Sequence, residues 1–227
     1  MDAIYARHAP SSALGIALAL PLPTNAVVLA DNLSAARGTG ISVGDGAATV
    51  EFWQAMKFQT TSASIIRSVT TRLRQSSGVT LGTATFDIYS DNSGAPGSAI
   101  ATALTKNISD LTGSFANYSA SGLSISLAQN TSYWLVGKAS SSSKFVWDDT
   151  LSTSGFGSIS PVRNRSDDGG STWGTGFSTF AILKIEADPV PGPLPVLGAS
   201  AAFGWSRRLR RRLKSAASQP CRAPSSS

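Results

Sequence analysis

Between Val27 and Asp188 the chain runs in short extended stretches broken by Gly, Ser, Asn, Asp and Pro. Val27–Leu33, Ala48–Thr60, Ala63–Gln75 and Val79–Tyr89 come first. Ala99–Thr105, Phe115–Ser119, Leu123–Leu127, Ser132–Ala139, Lys144–Asp148 and Phe177–Ala187 complete the set. Side chains alternate between the two faces of a strand, so each stretch can be read for what it faces. In Val79–Tyr89 the residues Val79, Leu81, Thr83, Thr85, Asp87 and Tyr89 share one face, with Phe86 and Ile88 on the other. In Ser132–Ala139, Tyr133 and Leu135 oppose Trp134 and Val136, which predicts a strand covered on both sides and central in its sheet. No long segment of 3.6-residue periodicity interrupts the pattern. Short strands separated by turn residues predict an all-β fold, an antiparallel β-sandwich of jelly-roll-like type.

The two ends read differently. Arg7 and His8 precede the apolar run Ala13–Leu22, which leads into Thr24-Asn25-Ala26. This is the order of a secretory signal peptide, with cleavage expected after Ala26 and Ala30 as the second choice. At the other end Val190-Pro191-Gly192-Pro193 opens a segment with no charge from Leu194 to Trp205. As a helix at ~1.5 Å per residue it would span about 18 Å, short of a hydrocarbon core of ~30 Å. Arg207, Arg208, Arg210, Arg211 and Arg212 follow at once, the arrangement that holds a segment end on the cytoplasmic side. The competing readings are buried terminal elements or a basic tail on a soluble domain.

Composition sharpens this division. The whole chain carries +6, yet Asp31–Val190 holds 11 Lys and Arg against 12 Asp and Glu. The positive charge therefore belongs to the tail, and the folded part lacks the basic stripe of a nucleic-acid binder. Cys221 is the only cysteine and His8 the only histidine. The domain thus has no Ser-His-Asp triad, no Cys-His dyad and no zinc site built on those residues.

The proline motif, short apolar run and arginine cluster together resemble the PEP-CTERM sorting signal of exported bacterial proteins. That resemblance implies a transient membrane stage and processing by an exosortase-type enzyme. Gly192 stands where the family usually has glutamate, similar to a variant found in cyanobacterial members, and Ser215–Ser227 runs on past the arginines. The stretches FDIYSDNSGAPGSAI (Phe86–Ile100) and LAQNTSYWLV (Leu127–Val136) resemble the choice-of-anchor R domains. So do Phe145-Val146-Trp147 and the run from Asp167 to Trp173. This second resemblance implies a surface or extracellular β-domain beside a sorting signal, and supplies no catalytic set. The expected layout is a signal peptide over 1–26, a β-domain over 27–188, a sorting signal over 189–214 and a tail over 215–227.

Carboxylates are the acid–base candidates that remain. Asp148-Asp149 ends one strand and Asp167-Asp168 lies in a Gly-rich loop, with no motif to make either a catalytic pair. Asp167 and Asp168 offer hard oxygens that Ca²⁺ accepts, as does Asp91-Asn92-Ser93-Gly94, although neither loop has EF-hand spacing and an ordinary turn is the leading reading. Trp147 and Trp173 lie beside acids near loop ends. Either they stack on a sugar ring, with Asp148 and Asp168 fixing hydroxyls, or they fill or cap the core. The expected function is that of an exported, non-enzymatic surface or matrix-associated protein. The alternative is a carbohydrate-binding module attaching to exopolysaccharide.

Overall fold

The structure is a computed structural model that describes residues 26–45, 51–140, 142–156 and 160–190. The leader up to residue 25, Pro191, Gly192 and Pro193, the arginine cluster and the tail lie outside the described residues. Within them Ala26 is exposed, and Val190 donates its N–H to the Ala63 carbonyl at 2.8 Å. No helix among the described residues is long and apolar enough to cross a membrane.

Among the described residues thirteen strands form in chain order. They are β1 (Val27–Asp31), β2 (Ile41–Asp45), β3 (Glu51–Gln59), β4 (Ser64–Gln75), β5 (Thr83–Asn92), β6 (Ala95–Asn107) and β7 (Ala116–Leu127). After them come β8 (Ser132–Ala139), β9 (Lys144–Trp147), β10 (Asp149–Thr150), β11 (Arg163–Ser166), β12 (Phe180–Ala181) and β13 (Leu183–Pro189). Every pairing between them is antiparallel. The expectation of an antiparallel all-β domain holds. One eleven-stranded sheet runs β1-β13-β4-β9-β2-β3-β8-β5-β6, with β7 on β4 and β11 on β3, and β10 pairs β12 apart from it.

Two strands curl this sheet by changing partner along their length. β4 pairs with β13 from Ser64 to Thr71, then with β9 from Leu73 to Gln75. β3 pairs with β2 at Glu51 and Phe52, then with β11 from Trp53 to Met56. The curled sheet encloses one core. Ile66, Val69 and Leu73 of β4 and Ile185 of β13 join the same cluster as Phe86 and Ile88 of β5 and Tyr133 and Leu135 of β8. The alternation in β5 and β8 places these residues inside, as period-2 patterning requires. β8 lies between β3 and β5, the central position its two apolar faces predict.

Where the sheet turns its corner, Trp147 of β9 meets Phe86 edge-on, with ring centroids 4.7 Å apart and planes at 84°. Trp147 is 0 % exposed and its Nε1 donates to the Ile182 carbonyl at 2.9 Å. Of its two readings, sugar contact or core filler, Trp147 takes the second. Several strand boundaries also move. The two stretches expected at Phe115–Ser119 and Leu123–Leu127 merge into one strand, β7, which begins at Ala116, while β2 and β11 form in stretches that show no strand pattern.

Candidate functional site

The two outward faces of the sheet differ in kind. Over β4, β7 and β13 the exposed side is a polar ladder, in which Ser68 donates to Glu186 at 2.6 Å and Lys184 pairs with Glu186 at 2.7 Å. Thr70 and Ser119 hydroxyls meet there at 2.8 Å. Over β3, β8 and β5 the outer side is aromatic instead. Ala55, Trp134 and Val136 are buried on it, with Trp53, Tyr89, Val162 and Trp173 packed around them. An outward sheet face needs no such cluster unless something lies over it.

What lies over it is the β5–β6 hairpin. The β5–β6 register slips between Phe86 and Asp87, between Ile88 and Tyr89, and between Tyr89 and Asp91. Bulges of this kind bend and twist a strand. Beyond Ser90 the hairpin leaves β8 and leans across its neighbours. Asp91 Oδ1 accepts a bond from Trp134 Nε1 at 2.8 Å and faces Lys57 Nζ of β3 at 3.2 Å. At the tip, Ser93 and Gly94 both have positive φ, 53° and 92°, the signature of a two-residue type I′ turn. The Gly94 carbonyl accepts from Asn164 Nδ2 of β11 at 3.1 Å. The hairpin therefore spans β8 and β3 and is fastened on β11.

A second wall rises from the loop after β11. Ser166 and Thr172 hydroxyls donate to Asp168 at 2.7 Å each, and the Thr172 N–H donates to it at 2.8 Å. These donors hold the exposed Asp168 carboxyl at about 2, well under its ordinary value, the Thr172 N–H first among them. Ser166 Oγ in turn accepts from Gly170 N at 2.7 Å. Gly170, at φ 89°, lies flat on Trp53, where a Cβ would come within 2.6 Å of the indole. Only glycine fits both demands. Arg165 and Gly174 close the loop by exchanging backbone bonds of 3.0 and 2.7 Å.

Between these walls lies an open groove of about 640 Å³. Ser90, Asp91, Asn92 and the turn from Ala95 to Ser98 form one side, and Gly170 to Trp173 the other. Trp173 is the one aromatic ring in the lining and Asp91 the one charge. Burial works to raise the Asp91 carboxyl. The Trp134 and Gly94 N–H bonds and Lys57 outweigh it and leave the group below its usual range. Behind the groove, Lys138 pairs with the buried Asp87 at 2.5 Å and lies 5.3 Å from the Trp53 ring centre. Burial disfavours that ammonium ion, but the bond and charge of Asp87 raise its pKa overall. Burial raises the Tyr89 phenol, opposed by Lys138.

The residues expected to bind sugar thus separate. Trp173 lines the groove, and Asp168 stands behind the wall as the anchor of Thr172. Trp147 and Asp148 are both 0 % exposed and away from it. Asp148 lies under Arg37 and Arg72, at 3.5 and 3.6 Å, and is a buried counter-charge, not a sugar contact. Asp167 forms a fork with Arg165, at 2.6 and 2.8 Å. A calcium ion at Asp167 and Asp168 would have to displace a guanidinium and three protein donors, and no group of three or more His, Cys, Asp and Glu side chains is clustered among the described residues. Ser90, Pro96, Ser98, Ser171 and Thr172 were not legible as site residues. The only signal for them is that the SDNSGAPGS and DDGGSTW runs share small polar composition. No protein-family model, no curated protein and no solved structure matches this chain.

Proposed function

We propose that this chain is an exported, non-catalytic binding module that holds a carbohydrate-class ligand, of the kind found in exopolysaccharide, in the groove between the hairpin and the Asp168 loop. One observation carries the reading: a half-buried indole, Trp173, faces a wall of hydroxyl, amide and carboxylate groups across an open groove. A sugar ring offers an apolar face to the indole and hydroxyls to Asp91, Asn92, Ser90 and Thr172. Asp91 is ionised, so it accepts from sugar hydroxyls, and Asn92 both donates and accepts. A second carboxyl is missing from the lining, where glycoside hydrolysis needs two at ~5–9.5 Å; this favours binding over turnover.

The termini support the rest of the proposal. The leader ending near Ala26 directs export, and Val190-Pro191-Gly192-Pro193 with the arginines at 207–212 directs delivery through a membrane stage to an exosortase-type enzyme. The curled sheet suits a jelly-roll-like sandwich of the choice-of-anchor R type. A glycan array followed by calorimetry tests the ligand, with Trp173→Ala as the comparison. Binding by the wild type, weakened at least tenfold in the variant, is the expected result. Silence of the wild type across neutral and acidic exopolysaccharides would end the proposal.

A further inference from the structure

Independently of the groove, two arginines flank one phenylalanine at another place on the sheet, and a third shares an acid with one of them. Phe115 stands immediately before β7. The guanidinium carbons of Arg37 and Arg74 lie 4.7 and 5.1 Å from its ring centre. The two charges are therefore within about 10 Å of each other, one screening length at 0.1 M salt. Arg72 stands beside them, its guanidinium bonded to Asn117 Oδ1 at 3.2 Å and to the Leu33 carbonyl. Asp148, fully buried beneath, is the one carboxylate among the described residues that pairs with any of the three. Two positive charges stay unmatched there among the described residues, although Asp31–Val190 as a whole, with 11 Lys and Arg against 12 Asp and Glu, is close to neutral.

Arg72 is held by several protein acceptors, Arg37 reaches Asp148 alone and Arg74 reaches no carboxylate among the described residues. The Arg37 side chain is 56 % exposed and its nearest acid is Asp148 at 3.5 Å. Arg74 makes no ion pair among the described residues. Contact with the ring positions a guanidinium without consuming its N–H groups, which stay available for an oxyanion. Like charges held this close repel unless a counter-charge joins them.

We infer that Arg37 and Arg74, set by Phe115, bind the carboxylate or sulfate groups of an acidic polysaccharide. The test uses the full chain and its Arg37→Ala/Arg74→Ala variant, presented with polygalacturonate, a sulfated glycan and neutral dextran at low and high salt. The arginines at 207–212 are common to both proteins, so the difference between them reports the patch. Polyuronate or sulfated glycan binding should fall at least tenfold in the variant and weaken with salt, and the preferred polymer names the anion. A lysine pair at the same positions should recover part of the binding, and unchanged melting would show that the fold is intact. Equal binding by wild type and variant overturns the inference. So does capture of anionic vesicles or duplex DNA while both acidic glycans stay free. Trp173→Ala should leave this binding unchanged, which separates failure here from failure of the groove.

Discussion

Asn164 on β11 donates its side-chain N–H to the carbonyl of Gly94, 70 positions earlier in the chain, at 3.1 Å. That bond fastens the tip of the β5–β6 hairpin across β8 and β3, and so sets one wall of the groove. Asn164 is fully buried, and among the described residues its Oδ1 has no hydrogen-bond partner, so the bond to Gly94 is the one its side chain makes there. Asn164→Ala should cost about 1–2 kcal/mol, the range for a buried hydrogen bond. The loss should be local first. Hydrogen exchange should accelerate at Asn92–Ala95 while the amides of β8 keep their protection. Unchanged exchange at the tip would show that Asp91 holds the hairpin alone.

The tryptophans that flank acids should behave in opposite ways. Trp147 is fully buried against Phe86 and the Ile182 carbonyl, so Trp147→Ala should lower unfolding free energy by about 3–5 kcal/mol. Trp173 is half exposed at the groove rim, and its truncation should cost about 1 kcal/mol while removing glycan binding. Urea unfolding of the two variants measures this directly. Comparable losses of stability would place Trp173 in the core as well.

The different fates of these two residues show what a sequence can and cannot reveal. Strand faces were legible where alternation was regular, as in β5 and β8, because a strand repeats every two residues. Arg163–Ser166 carries no such alternation and becomes a strand only because β3 offers it an edge. In sequence the acids after Trp147 show only the end of a strand. Their partners, Arg72 and Arg37, lie far away in sequence, so burial of Asp148 cannot be read locally. The candidate site has the same character. Both of its loops were visible as separate turns, but three slips in β5–β6 register bring them together, and register depends on long-range pairing.

Asp87 and Lys138 form a pair whose halves should not be separable. Asp87 is 4 % exposed, and its second oxygen, Oδ1, has no hydrogen-bond partner among the described residues. Lys138→Met leaves that carboxylate buried without its cation and should cost about 3–5 kcal/mol. Replacing both, Asp87→Val with Lys138→Met, should recover much of the loss, because no charge is then stranded. A double-mutant cycle in denaturant measures the coupling. Additive effects would mean that water, not Lys138, satisfies Asp87.

The Asp168 loop should carry a pH dependence of definite sign. Its carboxyl titrates at about 2 in the folded loop against an ordinary value of 3.8, through the Thr172 N–H and the hydroxyls of Thr172 and Ser166. A depressed carboxyl stabilises the folded form above its unfolded value, and that contribution disappears as pH falls through the folded value. Loop order should therefore be complete above pH 3.8 and be lost progressively toward pH 2. Because Thr172 and Trp173 form the groove wall beside it, bound glycan should be released across the same interval. The Thr172 amide shift, followed by NMR, should titrate with a midpoint near 2 in the wild type, and Asp168→Asn should abolish the transition. A wild-type midpoint at 3.8 would mean that solvent, not Ser166 and Thr172, surrounds the carboxylate.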